Sequence, residues 1–286
     1  MKKFLSKILV AVIAVACVLG VTACGNTKKI VDVTPNTIVV GYTDYEPMNF
    51  TKDGVFQGFD TELTLMVFNA LGYDVKFTLI DWSNKYNELE SNAIDCVWNG
   101  FTMNSTDEID GVETARADIV DFTKPYMENA QCIIRKTGTV SVATKEELAS
   151  KSVAYEAGSA GASYIEGVKN GGEGTEDDIN IQLVPLASQM DAVREVNMGT
   201  ADYAVVDINL ARSIAGQGNY TDIVINESAT GLALPQEYYA VAFKKGSTLD
   251  EKVNIIFNAF AQTGQLKALA EKYGVGEVVI ESGFLD

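Results

Sequence analysis

Two kinds of hydrophobic pattern run along this chain. The first is one unbroken block: Ile8 to Val21 is apolar throughout and follows a positive end made by Lys2, Lys3 and Lys7. The block has the length of a signal-peptide core. It falls short of the roughly 20 apolar residues that a mature helix needs to cross a bilayer. The second pattern is periodic. After a polar, irregular stretch, Ile38-Val39-Val40-Gly41 predicts a strand. Apolar residues at 63, 66, 67, 70 and 71 predict a helix, with Asp60 as its cap and Gly72 as its stop. Residues 75–80 predict a strand, 84–91 a short helix and 94–98 another strand. This alternation indicates an α/β domain with a largely parallel sheet.

The pattern restarts after Cys132. Residues 145–148 fit a helical turn, and Val153-Ala154-Tyr155 fits a strand that runs into Glu156-Ala157-Gly158-Ser159-Ala160-Gly161. A helical stretch over 163–168 precedes a segment, 167–180, whose Gly, Asp and Glu content predicts an exposed loop. A strand over 181–184, a helix over 190–197 and a strand over 203–206 follow. One long helical return begins after Asp250, with apolar residues at 253, 256, 257, 260, 266, 269 and 273, and stops at Gly274.

Charge narrows the classes. The chain has 22 Lys and Arg against 39 Asp and Glu, a net −17. Removing residues 1–23 takes away three lysines and no acid, leaving 19 against 39, a net −20. Such a field repels nucleic acids and anionic headgroups, so the body is expected to bind neither by charge. The length suits one large or two medium domains. Histidine is absent, which removes the commonest proton carrier near neutral pH and the serine–histidine arrangement. Without paired cysteines either, a structural zinc is not expected, and no cofactor or catalytic set is apparent. Glycine-rich 170–174 lacks the lysine of a phosphate loop. Cys96 and Cys132 are open to two readings, buried free thiols or one disulfide.

Candidate binding chemistry sits after predicted strands, where the loops of open α/β sheets line ligand crevices. Asp44-Tyr45-Glu46-Pro47-Met48-Asn49-Phe50 follows the first strand, and Tyr45 offers a flat face with a hydroxyl handle. Trp82 offers a second face; either ring would serve equally well as packing. Arg116 is the first arginine of the chain, and its planar fork suits a carboxylate. A surface pair with Glu113 or Asp118 is the plainer reading of it. Asp207 ends a strand and either receives an ammonium or caps the next helix. Ser159, among small residues, could present a hydroxyl and backbone donors to an anion.

Two resemblances add to this. Val21-Thr22-Ala23-Cys24 resembles a bacterial lipoprotein signal. That resemblance implies cleavage before Cys24, lipid on its thiol within a multiply acylated Cys24, a tether over 24–37 and a body held at the outer face of the cell membrane. An ordinary signal peptide or an uncleaved anchor are the alternatives.

Further along, six fragments fall in order: Gly58-Phe59-Asp60, Ile94-Asp95 before Asn99-Gly100-Phe101-Thr102, Arg116 to Tyr126, Gly158-Ser159, Ala201 to Asp207 and Tyr239 to Gly246. Together, over about residues 38–274, they resemble the periplasmic-binding-protein-like family of extracellular solute-binding proteins for amino acids, the receptors of ABC importers. The resemblance implies a two-lobe α/β fold of type II with two crossover hinge strands. Lobe 1 would comprise 35–128 plus 240–286, lobe 2 134–234, and the hinges 129–133 and 235–239. Ligand would close the lobes.

By the same resemblance, Arg116 clamps the α-carboxylate with help from Thr102 and Ser159. Asp207 takes the α-amino group beside the Gly100 carbonyl, and Tyr45 and Trp82 sandwich the side chain. Asp44, Asn99 and Gln189 are weaker candidates for reading its polar end. The implied partners are an amino-acid ligand, an ABC permease with its ATPase, and the membrane through Cys24; a monomer is expected.

The chain departs from the family in two places. Fourteen residue steps separate Thr102 from Arg116, more than the family's usual spacing, so residues within 104–115 are expected to bulge from the cleft rim. The first loop is also one residue short between Gly41 and Tyr45, which bears on Asp44. The expected function is non-catalytic capture of a polar or charged amino acid or cystine. The alternatives are a dehydratase-like enzyme on the same fold and a sensory module.

Overall fold

The computed structural model describes residues 36–170, 179–226, 231–232 and 234–281. The apolar block, Cys24 and the tether up to residue 35 lie outside the described residues, as do 171–178 of the acidic loop.

Strand β1 (Asn36–Tyr42) buries Ile38 and Val40 and leaves Asn36 and Thr37 exposed, the alternation of a strand with one covered face. A small hairpin, β2 (Phe50–Lys52) and β3 (Val55–Gln57), leads into α1 (Phe59–Ala70). Phe59, Leu63 and Val67 recur every fourth residue of α1 and are fully buried. Asp60 does not cap this helix. Gly58 holds the N-cap position, and Asp60 is buried two positions further on, its Oδ2 accepting from the Gly100 N–H at 2.7 Å and the Tyr126 hydroxyl at 2.9 Å. Then come β4 (Tyr73–Leu79), α2 (Lys85–Glu90) and β5 (Cys96–Thr102). Both β4 and β5 pair with β1 in parallel.

The long spacing before Arg116 forms an ordered hairpin. β6 (Thr106–Ile109) pairs with β7 (Val112–Ala115) across the two-residue turn Asp110-Gly111, with φ of 52° and 79°. Positive φ at both turn residues matches the right-handed twist of a hairpin. A single helical turn, α3 (Arg116–Ile119), and β8 (Val120–Phe122) lead to β9 (Met127–Lys136).

The second round repeats the plan with β10 (Ser152–Glu156), α4 (Ala160–Lys169), β11 (Gln182–Leu186), α5 (Gln189–Met198), β12 (Tyr203–Asp207), α6 (Ile208–Ile214) and β13 (Ile223–Ile225). Here β11 and β12 flank β10 in parallel. Strand β14 (Gln236–Lys244) returns to the first round, followed by α7 (Leu249–Gln262) and α8 (Gln265–Lys272). The single helical return expected at the C-terminus is broken in two by Gly264, which adopts φ 73°.

The sheet runs β11-β10-β12-β9-β14-β5-β1-β4. Each round is a parallel trio closed by one antiparallel strand, β9 against β12 and β14 against β5. Between the trios, β9 and β14 pair antiparallel from Met127↔Tyr239 to Ala130↔Gln236. The fold is therefore a bilobed α/β architecture of type II, with two long strands passing between the lobes. The carboxyl ends of both parallel trios meet at that crossing. Cys96 and Cys132 are both free and buried, and burial raises both thiols above their usual range. No helix among the described residues is long and apolar enough to cross a membrane.

Candidate functional site

The ends of four strands and the starts of three helices converge on one small cavity. It is lined by Trp82 from beyond β4; Asn99, Gly100 and Thr102 from β5; Arg116 from α3; Glu156 from β10; Ser159 and Ala160 from the start of α4; Gln189 from α5; and Asp207 from β12. The space between them is about 10 Å³, room for one water molecule. Larger recesses exist, such as one of about 690 Å³ between the β6–β7 hairpin and α4. Among the described residues its charged lining is four carboxylates, Asp107, Glu108, Glu113 and Glu166, without a cation. Opposed buried charges, not volume, distinguish the cleft.

Arg116 is 1 % exposed, so it is no surface pair with Glu113 or Asp118. Its Nη1 donates to the Thr102 carbonyl at 3.1 Å, and its Nη2 to Asp107 Oδ1 at 2.8 Å and the Gly158 carbonyl at 3.3 Å. Nε has no partner. The guanidinium lies over the Phe101 ring at 5.2 Å. Lys85, also buried, sits beside it: Nζ is 3.1 Å from Asp107 Oδ2 and 3.0 Å from the Gly158 carbonyl. Burial, then the neighbouring Arg116 charge, lower Lys85 to about 8 against the pull of Asp107.

Asp207 occupies the N-cap position of α6 without capping it through its side chain. Its carboxylate accepts from Gln131 Nε2 at 2.5 Å, Gln189 Nε2 at 2.8 Å and the Tyr239 hydroxyl at 2.8 Å. Gln131 also donates to Glu237, which accepts from Thr102 Oγ1 at 3.1 Å and Asn129 Nδ2 at 2.7 Å. Burial and the Asp207 charge raise Glu237 to about 7. Glu156 is 4 % exposed, and its Oε1 has no partner in the structure. Burial, reinforced by Asp207 and opposed by Lys85 and Arg116, raises it to about 8.

The remaining predicted residues divide by position. Ser159 lines the cavity as the N-cap of α4, its Oγ accepting from the Ala162 N–H at 3.0 Å. Gly100, with φ 57°, admits no side chain: a Cβ would stand 2.7 Å from the Tyr45 ring and 3.0 Å from the Tyr239 ring. Trp82 lines the cavity and packs edge-on against Phe101 at 4.9 Å. The Asn99 amide is spent on Thr43, donating to Thr43 Oγ1 at 2.6 Å and accepting from its N–H at 2.9 Å. Tyr45 is not in the lining. It sits behind Gly100 and its hydroxyl meets that of Tyr239 at 2.6 Å, extending a chain to Asp207. Asp44 is exposed outside the lining.

Sequence reasoning passed over Glu156, Lys85, Asp107, Gln131, Glu237 and Tyr239. Glu156 ends β10 as Asp207 ends β12, so the rule that selected one applies to the other. Glu237 and Tyr239 lie on β14, where strand alternation gives no hint of what the side chains meet.

This geometry, buried charges of both signs at the junction of two α/β lobes, defines a protein that holds a small polar solute. Residues 38–276 match the bacterial extracellular solute-binding proteins, family 3, and the chain belongs to that family. It is a binding protein, not an enzyme. A probable histidine-binding protein of Campylobacter jejuni is 30% identical over 200 residues, 68% of this chain and 73% of its own. Among solved structures, an ancestral arginine-binding protein bound to arginine has a TM-score of 0.71 at 26% identity, covering 84% of this chain and 98% of its own. A substrate-binding protein of an ABC uptake transporter from Streptococcus pneumoniae with bound histidine also has a TM-score of 0.71 at 26% identity, covering 85% and 94%.

Proposed function

We propose that this chain is the substrate-binding protein of an amino-acid ABC importer and that its cleft takes an amino acid with a cationic side chain. The observation that carries the reading is that Arg116 and Asp207 line one buried cavity, with the start of α4 beside them. An α-carboxylate calls for paired N–H donors and a positive helix end; Arg116 and the Ser159–Ala160 turn offer both. Thr102 steadies the arginine through its carbonyl. An α-ammonium calls for a carboxylate already aimed by neutral donors, which describes Asp207, with the Gly100 carbonyl as a second acceptor. Trp82 offers the ligand stem a flat face. Tyr45, Asn99 and Gln189 act through Tyr239, Thr43 and Asp207, and Asp44 stays at the rim.

Glu156 points to the ligand's charge. A neutral zwitterion would match Arg116 and Asp207 and leave a second buried carboxylate over. Without a cation Glu156, raised to about 8, keeps its proton; a guanidinium, ammonium or imidazolium would draw out the ionised carboxylate and pair with it. The arginine and histidine held by the similar structures belong to this class.

An amino acid does not fit in 10 Å³, so entry requires the lobes, 35–128 with 240–286 and 134–234, to part about hinges at 129–133 and 235–239. Lipid on Cys24 would keep the monomeric receptor beside its permease and ATPase. A thermal-shift panel tests the ligand class, since a ligand at a hundredfold excess over its Kd stabilises the folded form by about 2.7 kcal/mol. Arginine, lysine or histidine should raise the melting temperature, and glutamate and leucine should not. No shift with any amino acid would contradict the reading.

A further inference from the structure

The guanidinium of Arg116 is half filled from within the protein. Its Nε–H is buried without a partner, while the Nη2 beside it donates to Asp107 Oδ1 at 2.8 Å. These two groups present the parallel N–H bonds that a carboxylate bridges side-on. Nη2 also donates to the Gly158 carbonyl at 3.3 Å, so Asp107 is the anion among two acceptors that engage this nitrogen, and an incoming carboxylate that bridges the edge needs the same donor.

Asp107 reaches Arg116 because it sits on the β6–β7 hairpin, in the stretch that lengthens the spacing from Thr102. Asp107 has other partners as well. Lys85 Nζ lies 3.1 Å from its Oδ2, and the Tyr86 hydroxyl donates to the same oxygen at 2.6 Å. A carboxylate displaced from Arg116 would thus keep a cation and a hydrogen bond. The hairpin also touches the opposite lobe, where Ser163 Oγ of α4 donates to the Thr106 carbonyl at 3.0 Å. Burial works to raise the Asp107 carboxyl. Arg116 and Lys85, with hydrogen bonds from Arg116 and Tyr86, outweigh it, and the group lies below its usual range, a standing anion.

We propose that Asp107 is a resident carboxylate that competes with the ligand's own carboxylate for Arg116, so that capture proceeds by exchange, with Lys85 retaining the displaced aspartate. The proposal rests on the amino-acid reading of the cleft. Competition of this kind lowers apparent affinity by the fraction of molecules whose fork is free.

The test is calorimetry of the wild-type chain, Asp107→Asn and, as a second uncharged variant, Asp107→Ser. Each is titrated with arginine and with argininamide, which keeps the side chain and ammonium but has no carboxylate; weak binding is read by displacement. Exchange predicts that both variants bind arginine roughly fivefold more tightly or better, with argininamide unchanged or weaker. Arginine binding that is unchanged or weaker would overturn the proposal and make Asp107 an orienting group for Arg116. Equal gains for both ligands would overturn it as a general field effect. If the wild type binds no amino acid at all, the functional reading itself fails, an outcome distinct from either.

Discussion

Gln189 grips Asp207 at both ends of its amide: Nε2 donates to Oδ2 at 2.8 Å, and Oε1 accepts from the Asp207 N–H at 2.8 Å. The first bond aims the carboxylate into the cleft, and the second fixes the main chain where β12 turns into α6. Gln189→Leu would lose the aim and leave a buried N–H unsatisfied, a loss of about 1–3 kcal/mol in stability. Titration calorimetry should show amino-acid affinity reduced about tenfold, equivalent to 1.4 kcal/mol.

Gly100 is a steric requirement of the site. A methyl group there would meet the Tyr45 and Tyr239 rings, and the φ of 57° disfavours any side chain. Gly100→Ala should cost about 1–3 kcal/mol in urea unfolding. It should also disturb the Tyr45–Tyr239–Asp207 hydroxyl chain and so weaken binding.

Glu156 makes stability and binding depend on pH. Because burial raises it from 4.5 to about 8, the folded protein keeps a proton there that the unfolded chain releases above its ordinary range. Its contribution is complete below pH 4.5 and is lost as pH rises to about 8, at up to about 1.4 kcal/mol per pH unit. Glu237 and Asp60, both raised to about 7, act with the same sign and Lys85, lowered to about 8, with the opposite one, so the Glu156 share between pH 7 and 8 is read as the difference from a variant. Denaturant melts of Glu156→Gln should be flatter than wild type across that interval. Pairing of Glu156 with a cationic ligand should release its proton. Affinity should then rise from pH 6 to 8, with proton release read as a buffer-dependent binding heat.

Much of the fold was legible because both rounds bury residues at regular spacings, such as Ile38 and Val40 in β1 and Leu63 and Val67 in α1. The cleft residues were legible where they end parallel strands, as Asp207 does, because such ends must converge. What escaped notice depends on contacts between distant segments. Asp60 looked like a cap because its burial under Gly100 and Tyr126 has no local signature. The β6–β7 hairpin did have one, Asp110-Gly111, a dipeptide suited to a two-residue turn, which the expected bulge over 104–115 left unread. The pairing of Asp107 with Arg116 and Lys85 could not be read without the hairpin that brings them together. Periodicity through the C-terminal segment continued across Gly264 because the apolar face of α8 resumes just beyond the break.

The most direct test of the central claim compares arginine binding by wild type, Arg116→Ala and Asp207→Asn in titration calorimetry. Removing one partner of a buried, hydrogen-bonded charge pair costs about 2–5 kcal/mol, so each variant should bind about thirtyfold more weakly or worse. Both should remain folded by circular dichroism. Wild-type affinity in the Arg116→Ala protein would contradict capture of the ligand's carboxylate in this cleft.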